Sequence, residues 1–435
     1  MLTTIMRTRL ITAVLLLLTG ATVAAWGDVG LQSDSLRTPT EAEADSLRQT
    51  DGFVTASLLV ISPGQEGYSV LGHCAFRMEC PVYGLDYCFS FEINTGTAVT
   101  DYLTFFSGRS PAGFVAMETP VYLDRYKDEG RGILQYTLNL NPSQKQELWR
   151  RLDENMMEGI NTQFDFLYHN CTSMCLMALQ RVLLGEQLVV KEWPEVMRHG
   201  AAHSCLYHTR HVPWMQFVLM TITGTKADED TPSEQCVSPE IIGEVLSHSV
   251  IISPDGTERP ALKGQPVQLQ PILNSQFSIP NSQFPILNSQ FSIPWPTPLH
   301  LATILLVLVL LFTLGQWLWG WRRVALSADV VLLVVQALLG VALLYLVLVS
   351  RLFGQHWNWC LLLFSPLPLV VWLCCRRRAF YRWLCLLYGG ALLLLAIAAP
   401  LVTSQLIAAH RLVAAAIAVR CLSGVWGQQK QCKFK

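Results

Sequence analysis

The sequence predicts an α+β domain outside the cytoplasm followed by an α-helical membrane bundle of about five spans. Three observations predict it. The 435-residue chain is 51% hydrophobic and only 14% charged, and its apolar excess falls almost wholly after residue 297. Before that point, short runs rich in Val, Leu and aromatics, bounded by Gly and Pro, alternate with capped helical stretches. Residues 1–25 read as a secretory signal peptide or N-terminal anchor: Arg7 and Arg9, then the apolar ITAVLLLLTGATV, then the small residues of Thr22–Ala25. The length leaves room for two to three domains. A net charge of −1 with no basic block argues against a nucleic-acid partner.

Residues 26–51 are polar, acidic and Ser/Thr-rich, a flexible lead-in. Residues 52–255 form the α+β domain. GFVTASLLVIS, YSVLGHCAFRME, LDYCFSFEIN and RGILQYTLNL have strand character. Asn141 as N-cap, with Pro142 at the first helical position and Gln144 following, predicts a helix running to about Met157. A second helix is predicted from Cys171, stopping at Gly185. Residues 256–297 read as a low-complexity linker, in which PILNSQFSIP occurs twice; its prolines and short period do not build a solenoid.

Residues 298–422 carry apolar runs at about 298–319, 328–349, 358–374, 383–399 and 401–420, each near the ~20 residues that span a bilayer. With residues 26–297 outside, the inner flanks hold Arg322, Arg323, Arg376, Arg377, Arg378, Arg382, Arg420 and the lysines of the basic cytoplasmic tail 423–435. The outer loops hold only Arg351. That asymmetry obeys the positive-inside rule for five spans. His410 and Arg411 fall inside the last run, where an ionisable pair should face the bundle interior or water. Facing lipid would cost roughly 2.5–3.5 kcal/mol for the arginine alone.

The chemistry concentrates in two short elements. In FDFLYHNCTS (Phe164–Ser173), Cys171 follows an asparagine and opens an apolar helix. Unpaired N–H groups and the macrodipole there favour a thiolate and could hold an oxyanion, with Asn170 and Thr172 as supporting residues. In YSVLGHCAFR (Tyr68–Arg77), alternation sends His73, Ala75, Arg77 and Glu79 one way and Cys74, Phe76 and Met78 the other. His73 brought beside Cys171 would complete a nucleophile–base pair. Asp86, Glu92 and Asn94 are candidates to orient the imidazole, with Glu92 favoured. His169, two residues before the thiol, is a rival base. Taken alone, Cys171 also reads as a buried cysteine and His73 as a structural histidine.

The thirteen cysteines divide as seven before residue 297 and six after it. Without Cys171, the first group (Cys74, Cys80, Cys88, Cys175, Cys205, Cys236) allows three disulfides or a set of buried thiols. Cys74, Cys80 and Cys88 are separated by five and seven residues, which matches no common zinc pattern. No phosphate-binding glycine loop or G-x-S-x-G elbow occurs, so neither metal nor cofactor is expected.

The order His73 then Cys171, with "GH" and later "NC", resembles the circularly permuted branch of the papain-like superfamily, which includes lecithin:retinol acyltransferase. GHCAFR, FDFLYHNCTS and Thr223–Glu240, followed by the His356–Val370 run, resemble the Lnb-type lipoprotein N-acyltransferases of Gram-negative anaerobes. Family members more often carry a small residue where Cys74 stands. The resemblance implies a permuted papain-like periplasmic domain held at the inner membrane. It implies that Cys171 attacks an acyl ester of a membrane phospholipid, with His73 as base. The acyl chain then passes to the α-amine of a diacylglyceryl lipoprotein. In the expected topology, His356 and Arg351 could meet a lipid headgroup, with Trp357 and Trp359 as interfacial anchors. The same dyad would serve a membrane-tethered cysteine peptidase or amidase acting on cell wall, although five spans exceed what a tether needs. A non-catalytic membrane scaffold could keep the fold without the chemistry.

Overall fold

The computed structural model describes residues 46–423 apart from 65–68, 94–98, 160–161, 167, 198–199, 211, 229–237, 273–295, 351–356 and 375–377. The leader, most of the lead-in, the decapeptide repeats and the basic tail lie outside the described residues, as do Asn94, Cys236, Arg351 and His356.

The α+β domain is built on a seven-stranded antiparallel sheet. Its strands are β1 (Thr55–Ile61), β2 (His73–Cys80), β3 (Leu85–Ile93), β4 (Pro111–Glu118), β5 (Ile133–Thr137), β6 (Thr162–Gln163) and, later in the chain, β10 (Val267–Gln270). They lie in the order β10-β5-β1-β2-β3-β4-β6. Alternation sorts the side chains to two faces. Ala56, Leu58, Val60, Cys74, Phe76 and Met78 enter the main core. Leu59, Ile61, Ala75, Cys88 and Ile133 pack on the other side with Tyr122 and Tyr126 of helix α1 (Thr119–Asp128). Cover on both faces explains why SLLVI reads as one apolar run and not as an alternating strand. Each such side chain contributes about 1.5–3 kcal/mol on burial.

Three helices close the main core: α2 (Pro142–Met157), α3 (Cys171–Arg181) and α5 (Pro239–Ser247). Helix α2 begins in the capping box expected from Asn141 and Gln144, with reciprocal bonds of 2.9 and 3.0 Å. Between α3 and α5, helix α4 (Pro213–Ile222) runs towards the membrane segment.

The folded part continues past residue 255. Strands β7 (Gln187–Val190), β8 (Ser249–Ile252) and β9 (Glu258–Pro260) form a second sheet, and β10 returns to the edge of the first. Glu-Arg-Pro and Val-Gln-Leu-Gln are too short and too polar to announce strands; they exist because β8 and β5 offer edges to pair with. Among the described residues the six cysteines of this domain are free thiols.

The C-terminal region is helical. Among the described residues, three helices are long and apolar enough to cross a membrane: Pro298–Trp319, Arg323–Leu348 and Ala379–Val402. They correspond to α6 (Pro298–Trp319), α7 (Arg322–Leu348) and α10 (Arg378–Val402). The third expected run is broken into α8 (Trp359–Leu363) and α9 (Leu367–Cys374) at Ser365-Pro366. Gly340 admits this break, since a Cβ there would lie 1.8 Å from the Phe364 carbonyl oxygen. Gln336 Nε2 donates to the Ser365 carbonyl at 2.9 Å. The fifth expected run is the shorter α11 (Ala408–Leu422). His410 therefore sits in a first turn, not in mid-span. It is buried, 2.8 Å from Thr221 Oγ1 and stacked on Phe217 at 4.4 Å. Arg420, expected on the inner flank, is buried against Asp329, Thr313 and Gln316.

Candidate active site

Gly72 prepares the site. Its φ is +91°, and a Cβ there would lie 2.6 Å from the Ile61 carbonyl oxygen, so only glycine turns the chain this sharply into β2. His73 is the next residue. At the start of α3, Asn170 Oδ1 accepts the N–H groups of Thr172 and Ser173, both at 2.9 Å, and Ser173 Oγ accepts the Asn170 N–H at 3.0 Å. This box fixes Cys171 as the first helical residue. Helix α3 packs on β2 and β3 and sets the Cys171 thiol beside both His73 and Cys74.

The sulfur is not a free thiolate. The neighbouring Cys74 thiol, together with burial, holds Cys171 above the ordinary thiol range, while the His73 ring works the other way. Thr172 Oγ1 lies 3.9 Å from Cys171 Sγ and 4.0 Å from Cys74 Sγ. The helix-start argument is outweighed because its donors are already committed. Thr172 and Ser173 give their N–H groups to Asn170 Oδ1, and Met174 gives its own to the Asn170 carbonyl. Among the described residues, the Cys171 N–H is the first-turn donor left for an oxyanion. The Asn170 amide donates to the Phe166 carbonyl at 3.0 Å, so it acts as the cap of the helix.

His73 Nε2 lies 2.6 Å from Ser90 Oγ, which leaves Nδ1 for the thiol proton. The Ser90 hydroxyl in turn meets Tyr122, whose hydroxyl accepts from Tyr126 at 3.3 Å. Ser90 was not anticipated. Its signal was a polar residue between Phe89 and Phe91, both buried, where a hydroxyl needs a partner. Of the expected orienting groups, neither Asp86 nor Glu92 is bonded to His73, and Asn94 lies outside the described residues. Glu92 is nearby but pairs with Arg125 at 3.3 Å. Asp86 lies at the far end of the strand pair, opposite Glu79, held by Arg77 at 2.7 and 2.9 Å. His169 forms a backbone bridge with Asp165 in the preceding turn.

His73 and Cys171 both face a cavity of about 350 Å³. One part of its wall is apolar, with Leu71, Phe91, Phe164 and Phe166. Another is charged, with Glu92, Arg125, Glu129 and Arg131 around Tyr126. A neutral thiol, an adjacent imidazole anchored by a hydroxyl, one helix-start N–H and a greasy recess can together carry acyl transfer through a thioester.

The end of α4 and the residues after it bond to the helical region. Asn358 Nδ2 donates to the Thr221 carbonyl at 2.9 Å, and the Thr225 N–H donates to the Trp357 carbonyl at 2.7 Å. Asp228 accepts from Thr403 Oγ1 at 2.6 Å and from the Ser404 N–H at 3.1 Å.

Residues 48–198 match the family model of the Lnb N-terminal periplasmic domain, and residues 288–431 match that of the Lnb transmembrane domain. No curated protein and no solved structure matches the chain.

Proposed function

Because both parts of this chain mark it as an Lnb-family protein, multi-pass in the membrane with a periplasmic domain, we propose that it is a lipoprotein N-acyltransferase of the inner membrane. The observation that carries the reading is the Cys171–His73 pair in the wall of a partly apolar cavity.

His73 takes the thiol proton as Cys171 Sγ attacks an ester carbonyl of a membrane phospholipid. The S–C bond forms, the ester C–O bond breaks, and the proton passes from His73 to the departing lysophospholipid oxygen. The thioester is then attacked by the neutral α-amine of a diacylglyceryl-cysteine. The N–C bond forms, the S–C bond breaks, and the amine proton returns by way of His73 to sulfur. In both steps the Cys171 N–H steadies the oxyanion. The apolar wall limits water, which would otherwise hydrolyse the thioester. Because His73 is bonded to Ser90, the third member of this site is a hydroxyl, with Glu92 part of the substrate cavity.

The same reading takes the domain as permuted papain-like, with residues 358–374 and 408–422 counted as the third and fifth of five crossings. The contacts with the domain support that count. Trp214 Nε1 donates to the Pro296 carbonyl just before α6. Asn358 stands before α8, and Thr403 and Ser404 stand before α11; both sites meet residues 221–228. Three chain entries on one side of the membrane fit five passes. In that topology Arg351 and His356 belong to the same outer loop as Asn358, where a lipid headgroup could meet them.

The test is complementation of a strain depleted of its own N-acyltransferase, with mass spectrometry of a lipoprotein N-terminus. The wild type is expected to restore N-acylation, and Cys171→Ala and His73→Ala are expected not to. Normal acylation by either variant removes these residues from the reaction.

A further inference from the structure

The charged wall of the cavity has no role in the acyl-transfer steps, yet it is built with care. Arg131 is only 3% exposed. Its Nε donates to the Ser62 carbonyl at 2.7 Å and its Nη1 to Glu129 at 3.0 Å, while among the described residues Nη2 has no partner. An orphaned guanidinium nitrogen shut away from water is costly, and an anion's oxygen is what would relieve it. Arg125 supplies a second, half-exposed guanidinium, committed among the described residues through Nη1 to Glu92. Both guanidiniums lie over the Tyr126 ring, at 4.8 and 5.8 Å from its centroid. The same ring also meets Tyr122 at 5.1 Å and His73 at 6.5 Å. One ring therefore separates the base from two cations, much as one glycerol unit separates an acyl ester from the phosphate of a phospholipid.

The two carboxylates matter as much as the cations. Glu92 and Glu129 each face one arginine, so among the described residues the charges of the wall balance. A headgroup carrying only negative charge would enter beside two carboxylates. A zwitterion would exchange partners instead, its phosphate taking the free guanidinium nitrogens and its ammonium meeting the carboxylates. Resting on the acyltransferase reading, we propose that Arg125, Arg131, Glu92 and Glu129 form the headgroup subsite of the acyl donor, and that the subsite selects a zwitterionic, primary-amine phospholipid.

The full chain in vesicles tests this, with the acyl-thioester on Cys171 as readout. The donors are phosphatidylethanolamine, phosphatidylglycerol and diacylglycerol, the last having the ester but no phosphate. The wild type is expected to react fastest with phosphatidylethanolamine and slowest with diacylglycerol. Arg125→Gln is expected to lower kcat/KM for phosphatidylethanolamine about tenfold or more while leaving diacylglycerol unchanged. Glu129→Gln is expected to shrink the preference for phosphatidylethanolamine over phosphatidylglycerol. Arg131→Lys should act like Arg125→Gln; because Arg131 is buried, the half-exposed Arg125 carries the decision if that variant fails to fold. Equal wild-type rates with phosphatidylethanolamine and diacylglycerol would overturn the subsite while leaving acyl transfer intact. So would an Arg125→Gln loss equal on both donors, an unchanged ratio in Glu129→Gln, or inorganic phosphate raising the diacylglycerol rate to that of the phospholipid. No adduct from any donor would instead strike at the acyltransferase reading.

Discussion

At the residue scale, Cys74 sets the state of the proposed nucleophile, Cys171. It touches Cys171 and, with burial, raises that thiol, while His73 lowers it. Alkylation of Cys171 should therefore have its midpoint above the ordinary thiol range. Cys74→Ala should move the midpoint to lower pH, and His73→Ala to higher pH. Iodoacetamide labelling of the full chain against pH, read by peptide mass spectrometry, checks both directions. The first half of this arrangement was legible in the sequence. "GH" in a strand and "NC" at a helix start name the two side chains, because glycine, histidine and an Asx cap have local reasons to be where they are. Ser90 and the cavity arginines were not legible. Ser90 matters only because β3 pairs with β2 in a register that sets it opposite Ala75, and registers are not written in either strand alone.

At the element scale, two ion pairs, one partly buried and one buried, join segments distant in sequence. Glu186 binds Arg259 of β9 at 2.5 and 2.6 Å and accepts from Gln144 of α2 at 2.6 Å. These bonds, with Arg259 foremost, lower its carboxyl from 4.5 to about 2 in the folded chain. A carboxyl lowered on folding adds stability that is complete above the unfolded value near 4.5 and is lost as pH falls towards 2. Glu186→Gln should be less stable at pH 7 and should lose this part of the acid sensitivity, as read by thermal unfolding of the full chain in detergent from pH 7 to pH 3. In the helical region, Asp329 accepts from Arg420 at 2.5 and 2.7 Å, with both side chains almost wholly buried. Asp329→Ala should destabilise the bundle by about 3–5 kcal/mol, because it strands a buried cation. Asp329→Ala with Arg420→Met should recover most of that loss in the same melt. Helix α2 was readable from its Asn-Pro start. The edge strands β9 and β10 were not, since three or four polar-rich residues become strands only when an edge is offered.

At the scale of the whole molecule, the sequence divided the chain correctly into an α+β part and a helical part, because an apolar excess confined to one region is a matter of composition. What it could not convey is how the two parts meet. Thr221 in the last turn of α4, with Thr225 and Asp228 just after it, bonds to Trp357, Asn358, Thr403 and Ser404. These polar contacts tie the domain to the outer ends of the helices, and in the proposed reaction they keep the cavity at the lipid surface. The most direct test of that account supplies isotopically labelled phospholipid to the full chain in vesicles and follows the label by intact-protein mass spectrometry. A labelled, hydroxylamine-sensitive acyl group should appear on Cys171, then move to the α-amine of an added diacylglyceryl-cysteine peptide as the adduct decays. Peptide acylation without a Cys171 adduct, or undiminished in Cys171→Ala, would contradict it.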